Sequence, residues 1–254
     1  MPDANRACLP TAPGLACGDG LAAAMAAPAP PPLVLSVHLP KTAGTSFGAA
    51  LKQAYGDGYH EDYADLPMQH AAWRRQWRAV GSALRQPAIA DTVHCIHGHF
   101  LPLKYRRLLA RREASCITWL RDPVERVASH YHYWRRDYDG GDPAQPLRNR
   151  VVREEWSFER FALGAELRDV YARYLWRFDP RRFDFIGITE RYERDLEHLA
   201  THYLGCGFPV AAALVNPERG RDGYDIAAGL RKRIEAHHAR DVALYRWALA
   251  GRHR

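Results

Sequence analysis

The 254-residue sequence predicts an α/β fold: a three-layer α/β/α domain around a central parallel sheet. Two observations carry this. Short β-rich apolar runs alternate with longer stretches of helical period, and strands separated by helices imply parallel neighbours joined by crossovers. The runs also read as buried strands, which places a functional site at their carboxyl ends.

Residues 1–32 are rich in Ala, Pro and Gly, end in APAPPP, and are expected to form a tail without a core of its own; the folded domain is expected over 33–254. Leu33 to Leu39 is the first strand. Thr45 to Tyr55 follows as a helix with Phe47, Ala50, Leu51 and Ala54 on one face. Gln69 to Gln86 is a longer helix, whose Trp73 and Trp77 stand at a spacing that usually marks core. Thr92 to Ile96 is the second strand, Leu103 to Arg112 a basic helix, and Ser115 to Leu120 the third strand. Pro123 to Asp137 is helical, with Asp122 placed as N-cap, Pro123 at the first helical position and Glu125 completing a capping box. Asp139 to Pro146 is a loop. Helical patterns cover Phe158 to Ala165, Val170 to Arg177, Glu190 to Tyr203 and Ala227 to Leu249, with a fourth strand at Phe183 to Ile188.

Composition narrows the function. With 36 Lys and Arg against 29 Asp and Glu, the chain carries a net charge of +7, which favours an anionic partner without choosing among nucleotide, nucleic acid and acidic glycan. The five cysteines form no C-x-x-C pair and are odd in number, which argues for a reducing compartment; Cys95 and Cys116 lie in apolar runs and read as buried small hydrophobes. No apolar run approaches the ~20 residues of a membrane span, and the stretch after Gly14 is a poor signal peptide. The expectation is a cytoplasmic protein with no integral membrane segment.

Three stretches carry chemistry. Between first strand and first helix lies Pro40-Lys41-Thr42-Ala43-Gly44-Thr45-Ser46. Backbone N–H groups of such a turn and the helix start converge on one place and attract a phosphate-like anion. Thr45 and Ser46 add hydroxyls and Lys41 adds a charge. The order is not G-x-x-x-x-G-K-[ST], so a metal–ATP loop fits poorly, and an ordinary capped turn is the competing reading. Farther on, Arg121 ends a strand and Ser129 lies on the helix after it. Lastly, His97-Gly98-His99 follows the second strand. Histidine titrates near neutral pH and suits a general base. A metal site with His94 as third ligand, or His97 packed under the loop, are the rival readings.

PKT-x-G-T-S (Pro40 to Ser46) and R-D-P-x-x-R-x-x-S (Arg121 to Ser129), in this order, together resemble the sulfotransferases that use 3′-phosphoadenosine-5′-phosphosulfate, nearest the carbohydrate (uronyl 2-O-type) branch. The resemblance implies a P-loop NTPase-like fold. It implies that Pro40 to Ser46 hold the 5′-phosphosulfate and that Arg121 and Ser129 hold the 3′-phosphate. It further implies that His99 is the catalytic base, His97 a supporting residue and Lys41 the cation on the leaving oxygen, with no metal. The acceptor implied is a hydroxyl on a sugar or glycoconjugate, not a nucleic acid. The alternatives are a P-loop-type ATP-dependent kinase, with Asp122 as its one obvious metal ligand, and a non-catalytic basic nucleic-acid binder. The loop Asn216 to Tyr224 is expected to cover the adenosine end.

Overall fold

Residues Leu33–Val37 form β1, and every one of them is buried. The computed structural model describes residues 32–65, 71–85, 87–136, 138–204, 208–209 and 223–251. The expected tail, apart from its last residue, and the 216–222 part of the adenosine-side loop lie outside them.

β1 is the middle strand of a five-stranded, wholly parallel sheet. It is flanked by β3 (Cys95–Gly98) and β4 (Ala114–Leu120). β2 (Tyr59–Glu61) lies outside β3, and β5 (Phe185–Ile188) lies outside β4, giving the order β2-β3-β1-β4-β5. The helices between them are α1 (Gly44–Tyr55), α2 (Ala72–Arg85) and α3 (Pro123–Arg136). After α3 come α4 (Pro146–Arg153), α5 (Phe158–Ala162) and α6 (Val170–Tyr174). Beyond β5 lie α7 (Tyr192–Leu199), α8 (Ala228–His237) and α9 (Ala239–Gly251).

Alternation along β1 builds the three layers. Leu33, Leu35 and Val37 point to one face, where they meet Ile96, Leu120, Val170, Tyr171 and Ala248. Val34 points to the other, into a cluster of Phe47, Leu51, Trp119, Phe185 and Leu196 from α1, the sheet and α7. Burying each large aliphatic side chain contributes about 1.5–3 kcal/mol. A third cluster, with Val124, Val127, Trp134, Phe161 and Ile234, ties α3 to α5 and α8. Gly187 in β5 is required by packing. It pairs with Trp119 across the sheet, and a Cβ there would fall 2.3 Å from the indole ring. Cys95 and Cys116 are buried free thiols, as expected.

Several elements depart from expectation. The second strand runs to Gly98, so His97 lies within it. The expected basic helix at 103–112 is a single 3-10 turn, Pro102–Tyr105, followed by turns. Buried Asp62 explains this: it accepts hydrogen bonds from Lys104 Nζ (2.6 Å) and Tyr105 Oη (2.7 Å), pulling two adjacent side chains to one point. The last helix is broken at His238, whose ring is buried; Nδ1 accepts from the Asp169 N–H (3.2 Å) and Nε2 donates to the Ala162 carbonyl (2.9 Å). Asp241, one turn on, caps α6 through the N–H groups of Tyr171 and Ala172, both 3.0 Å away. Trp73 and Trp77 do not enter the core; Arg75, Ala79 and Ala83 form the buried face of α2.

Candidate active site

β1 ends at Val37, and the chain turns over the sheet's carboxyl edge through residues 38–43. Lys41 and Ala43 both adopt left-handed backbone conformations, with φ of 66° and 65°. Such conformations cost a non-glycine residue about 1–3 kcal/mol and need support from outside. Part of it comes from Thr42, which is buried and donates its hydroxyl to the Leu39 carbonyl at 2.8 Å. α1 then starts with Ala43 as N-cap, which supplies no side-chain cap, and its first turn contains no acidic residue. The positive end of the helix therefore meets whatever occupies the rim. Expected site residues Pro40 to Ser46 lie on this turn and the first turn of α1.

Gly44 is required by packing rather than by its backbone angle. The positive φ angles belong to its neighbours; a Cβ on Gly44 would fall 1.8 Å from His38 Nε2, and one on Gly48 would fall 2.8 Å from His97 Nε2. Two imidazoles thus pack directly on α1. We expect Gly44→Ala to lower stability by about 1–3 kcal/mol through overpacking. Thermal unfolding checks this, and an unchanged midpoint would show that the ring moves aside freely.

Those imidazoles belong to a stack. Ser36 pairs with His97 in the β1–β3 register. Two residues on, the same offset puts His38 beside His99. The His38 ring stacks on His97 (centroids 5.2 Å apart) and on His99 (4.2 Å). Ser36 Oγ and His97 Nδ1 are 2.9 Å apart, while His97 Nε2 is buried without a partner among the described residues. Tyr63 Oη lies 3.2 Å from His38 Nδ1. His99 Nδ1 lies 2.5 Å from the His38 carbonyl, an acceptor, so Nδ1 carries the proton and Nε2 keeps its lone pair. Tyr63 and Tyr174 flank His99, with ring centroids 4.9 Å and 5.9 Å from it.

Burial holds all three rings neutral. It lowers the His99 pKa against a smaller opposing effect of the His38 carbonyl. It lowers His38 further, with His99, His97 and Lys41 adding to the effect. It depresses His97 to about 3. His238 is also depressed to about 3, chiefly by burial. An unfolded histidine binds its proton near 6.5, so the contribution of these neutral rings is complete above that pH. For His97 and His238 it is lost as pH falls from 6.5 toward 3, by about 1.4 kcal/mol per pH unit per histidine. Urea unfolding between pH 7 and 5 should show falling stability, and His97→Gln should flatten the slope by one histidine's share.

Across the rim, β4 leads to Arg121. Thr118 Oγ1 donates to the Val37 carbonyl at 2.8 Å, binding the ends of β4 and β1 together. Arg121 is fixed at both backbone groups by Tyr171 Oη, which accepts from its N–H (3.0 Å) and donates to its carbonyl (2.8 Å). Asp122 caps α3, accepting from the N–H groups of Val124 (3.0 Å) and Glu125 (3.1 Å). The expected capping box is not closed by Glu125. Glu190 accepts the Asp122 N–H (2.8 Å) instead, while Glu125 accepts from the Tyr224 N–H (3.0 Å) and pairs with Arg231.

The Arg121 guanidinium lies 5.9 Å from the Tyr224 ring centroid, and Tyr224 stacks flat on His132 at 4.9 Å. Ser129 is buried on α3. One turn beyond it Tyr133 offers its ring to Lys41 Nζ, 4.0 Å from the centroid. The turn after β1, the start of α3 and the histidine stack therefore share one edge of the sheet. His94 is separate, its Nδ1 facing an Arg112 guanidinium nitrogen at 3.1 Å. His38, Tyr63 and Tyr171 escaped sequence reasoning. For His38 the signal was the strand alternation from Ser36, useful only once the pairing of β1 with β3 is known.

No family model matches this chain, and no curated protein matches it. Among solved structures, the crystal structure of a sulfotransferase from Alicyclobacillus acidocaldarius is similar over 84% of this chain and 93% of its own, with 17% identity and a TM-score of 0.37. Among the described residues no helix is long and apolar enough to cross a membrane.

Proposed function

We propose that this chain is a sulfotransferase that moves a sulfuryl group from 3′-phosphoadenosine-5′-phosphosulfate to an acceptor hydroxyl, on a carbohydrate, by in-line displacement. The observation that carries the reading is the uncapped start of α1 with Lys41 beside it, on the same sheet edge as Arg121 and within one imidazole of His99. The residues fit the donor's charge: a helix start and an ammonium for the 5′-phosphosulfate, and a guanidinium with the Ser129 hydroxyl for the 3′-phosphate.

The steps follow from charge. The acceptor O–H gives its proton to His99 Nε2 while its oxygen bonds to sulfur. The bond from sulfur to the 5′-phosphate oxygen breaks, and adenosine 3′,5′-bisphosphate departs. Lys41 and the α1 N–H groups meet the charge growing on that oxygen. The imidazolium formed at His99 keeps its Nδ1–H on the His38 carbonyl, which favours the charged form. His97 supports the stack from beneath. Tyr63, exposed beside His99, gives an aromatic wall suited to a sugar ring.

ATP-dependent kinase chemistry fits less well, because the Asp122 carboxylate is committed to the N–H groups of α3 and to Arg231 at 3.4 Å. Thermal unfolding with added ligand tests the assignment. Adenosine 3′,5′-bisphosphate at a hundred times its Kd should stabilise by about 2.7 kcal/mol, and magnesium–ATP far less. Greater stabilisation by magnesium–ATP would sink it.

A further inference from the structure

α2 is turned opposite to the usual sense. Its buried face carries Arg75, Ala79 and Ala83, which lie against Leu101 and Leu103. Its solvent side carries the large apolar groups: Trp73 is 59% exposed, Trp77 73% and Leu84 58%. At 3.6 residues per turn these three and half-buried Val80 fall within about 60° of the helix circumference. They form one stripe rather than scattered exposures, and a contiguous apolar surface of this kind marks an interaction site.

The charges are sorted as well. Arg74, Arg78 and Arg85 are all exposed and occupy about 40° of arc immediately beside the apolar stripe. No acidic residue occurs in Ala72–Arg85. Arg107 adds a cation at the end of the helix, donating to the Leu84 carbonyl at 2.7 Å. Tryptophan and leucine flanked by arginine on a helix lying flat on its domain is the pattern of an interfacial helix. The apolar side enters the boundary between acyl chains and headgroups, and the cations face anionic headgroups. A nucleic acid would use the arginines but leave the exposed Leu84 without a role. A second copy of the chain would bring one arginine row toward another.

We propose that α2 docks the protein on an anionic phospholipid surface, with Trp73, Trp77 and Leu84 inserted and Arg74, Arg78 and Arg85 on the headgroups. The inference stands apart from the sulfotransferase reading. Combined with it, the docking places the reaction beside a membrane. The inner face of the same helix holds Arg75 near Tyr174, the aromatic neighbour of His99.

The test is co-sedimentation of the full chain with vesicles of phosphatidylcholine alone or with phosphatidylglycerol added, at low and physiological salt. Binding is expected only with phosphatidylglycerol. Trp73→Ser with Trp77→Ser should weaken it at least tenfold, and Arg74→Gln with Arg78→Gln and Arg85→Gln should remove the preference for the anionic lipid. All five positions are exposed, so thermal midpoints should stay within a few degrees of the parent. Absence of vesicle binding overturns the proposal, as does binding that the tryptophan variant leaves intact, which would be charge attraction alone. So does concentration-dependent dimerisation, or binding to a mixed-sequence oligonucleotide, that the tryptophan variant abolishes while vesicle binding is absent.

Discussion

Lys41→Ala is expected to lower turnover by about 10²–10³-fold, the usual cost of deleting one preorganised group that meets developing charge. The same change should weaken binding of adenosine 3′,5′-bisphosphate by about tenfold, because the ammonium also faces the phosphate before reaction. Assay with labelled donor gives the first number and titration of the bisphosphate the second. Tyr133 makes the result sharper. Its ring takes the Lys41 ammonium at 4.0 Å, which fixes the direction of the side chain. Lys41→Arg preserves the charge but not the fit over that ring, and should recover binding more than turnover. Undiminished turnover in Lys41→Ala would remove the lysine from the chemistry.

His99→Ala should divide the two measurements differently. Turnover falls by about 10²–10⁴-fold, the span of general-base effects, while the bisphosphate still raises the unfolding midpoint as in the parent. The pH profile gives a second readout. The base must be neutral, and burial lowers the His99 pKa below 6.5, so turnover should hold steady down through pH 6.5 and fall only at more acidic pH. In the alanine variant that acid limb should vanish from the residual rate. Retained turnover in His99→Ala would move the base to another group, with His38 the first to examine.

Much of the fold was legible in the sequence because it rests on short-range signals. The strands at 33, 114 and 185 are apolar runs, and Asp122-Pro123 marks a helix start whatever surrounds it. What stayed hidden depends on partners distant in the chain. Tyr59–Glu61 is half-polar and becomes a strand only because β3 pairs with it. Lys104 and Tyr105 leave the helical path because Asp62 holds both. The period of α2 shows a tryptophan stripe without showing which way it faces, and the small side chains of Ala79 and Ala83 decide that by allowing a close approach to Leu101 and Leu103. The capping box went to Glu190 rather than Glu125 for the same reason.

Of the proposed site, Lys41, Arg121 and His99 come from their motifs, and the sheet brings the segments that carry them to one edge. His38 could not, since it enters only through the pairing that sets Ser36 opposite His97.

That pairing has a mechanical consequence. The proposed base and the proposed donor loop extend from two hydrogen-bonded neighbours of one sheet, so the distance between them is governed by the interstrand spacing of about 4.8 Å. No hinge need swing to assemble the pair, and ligand-free protein should already hold it at its working separation. Any slow step before chemistry would then lie in admitting the two substrates, not in shaping the catalyst around them.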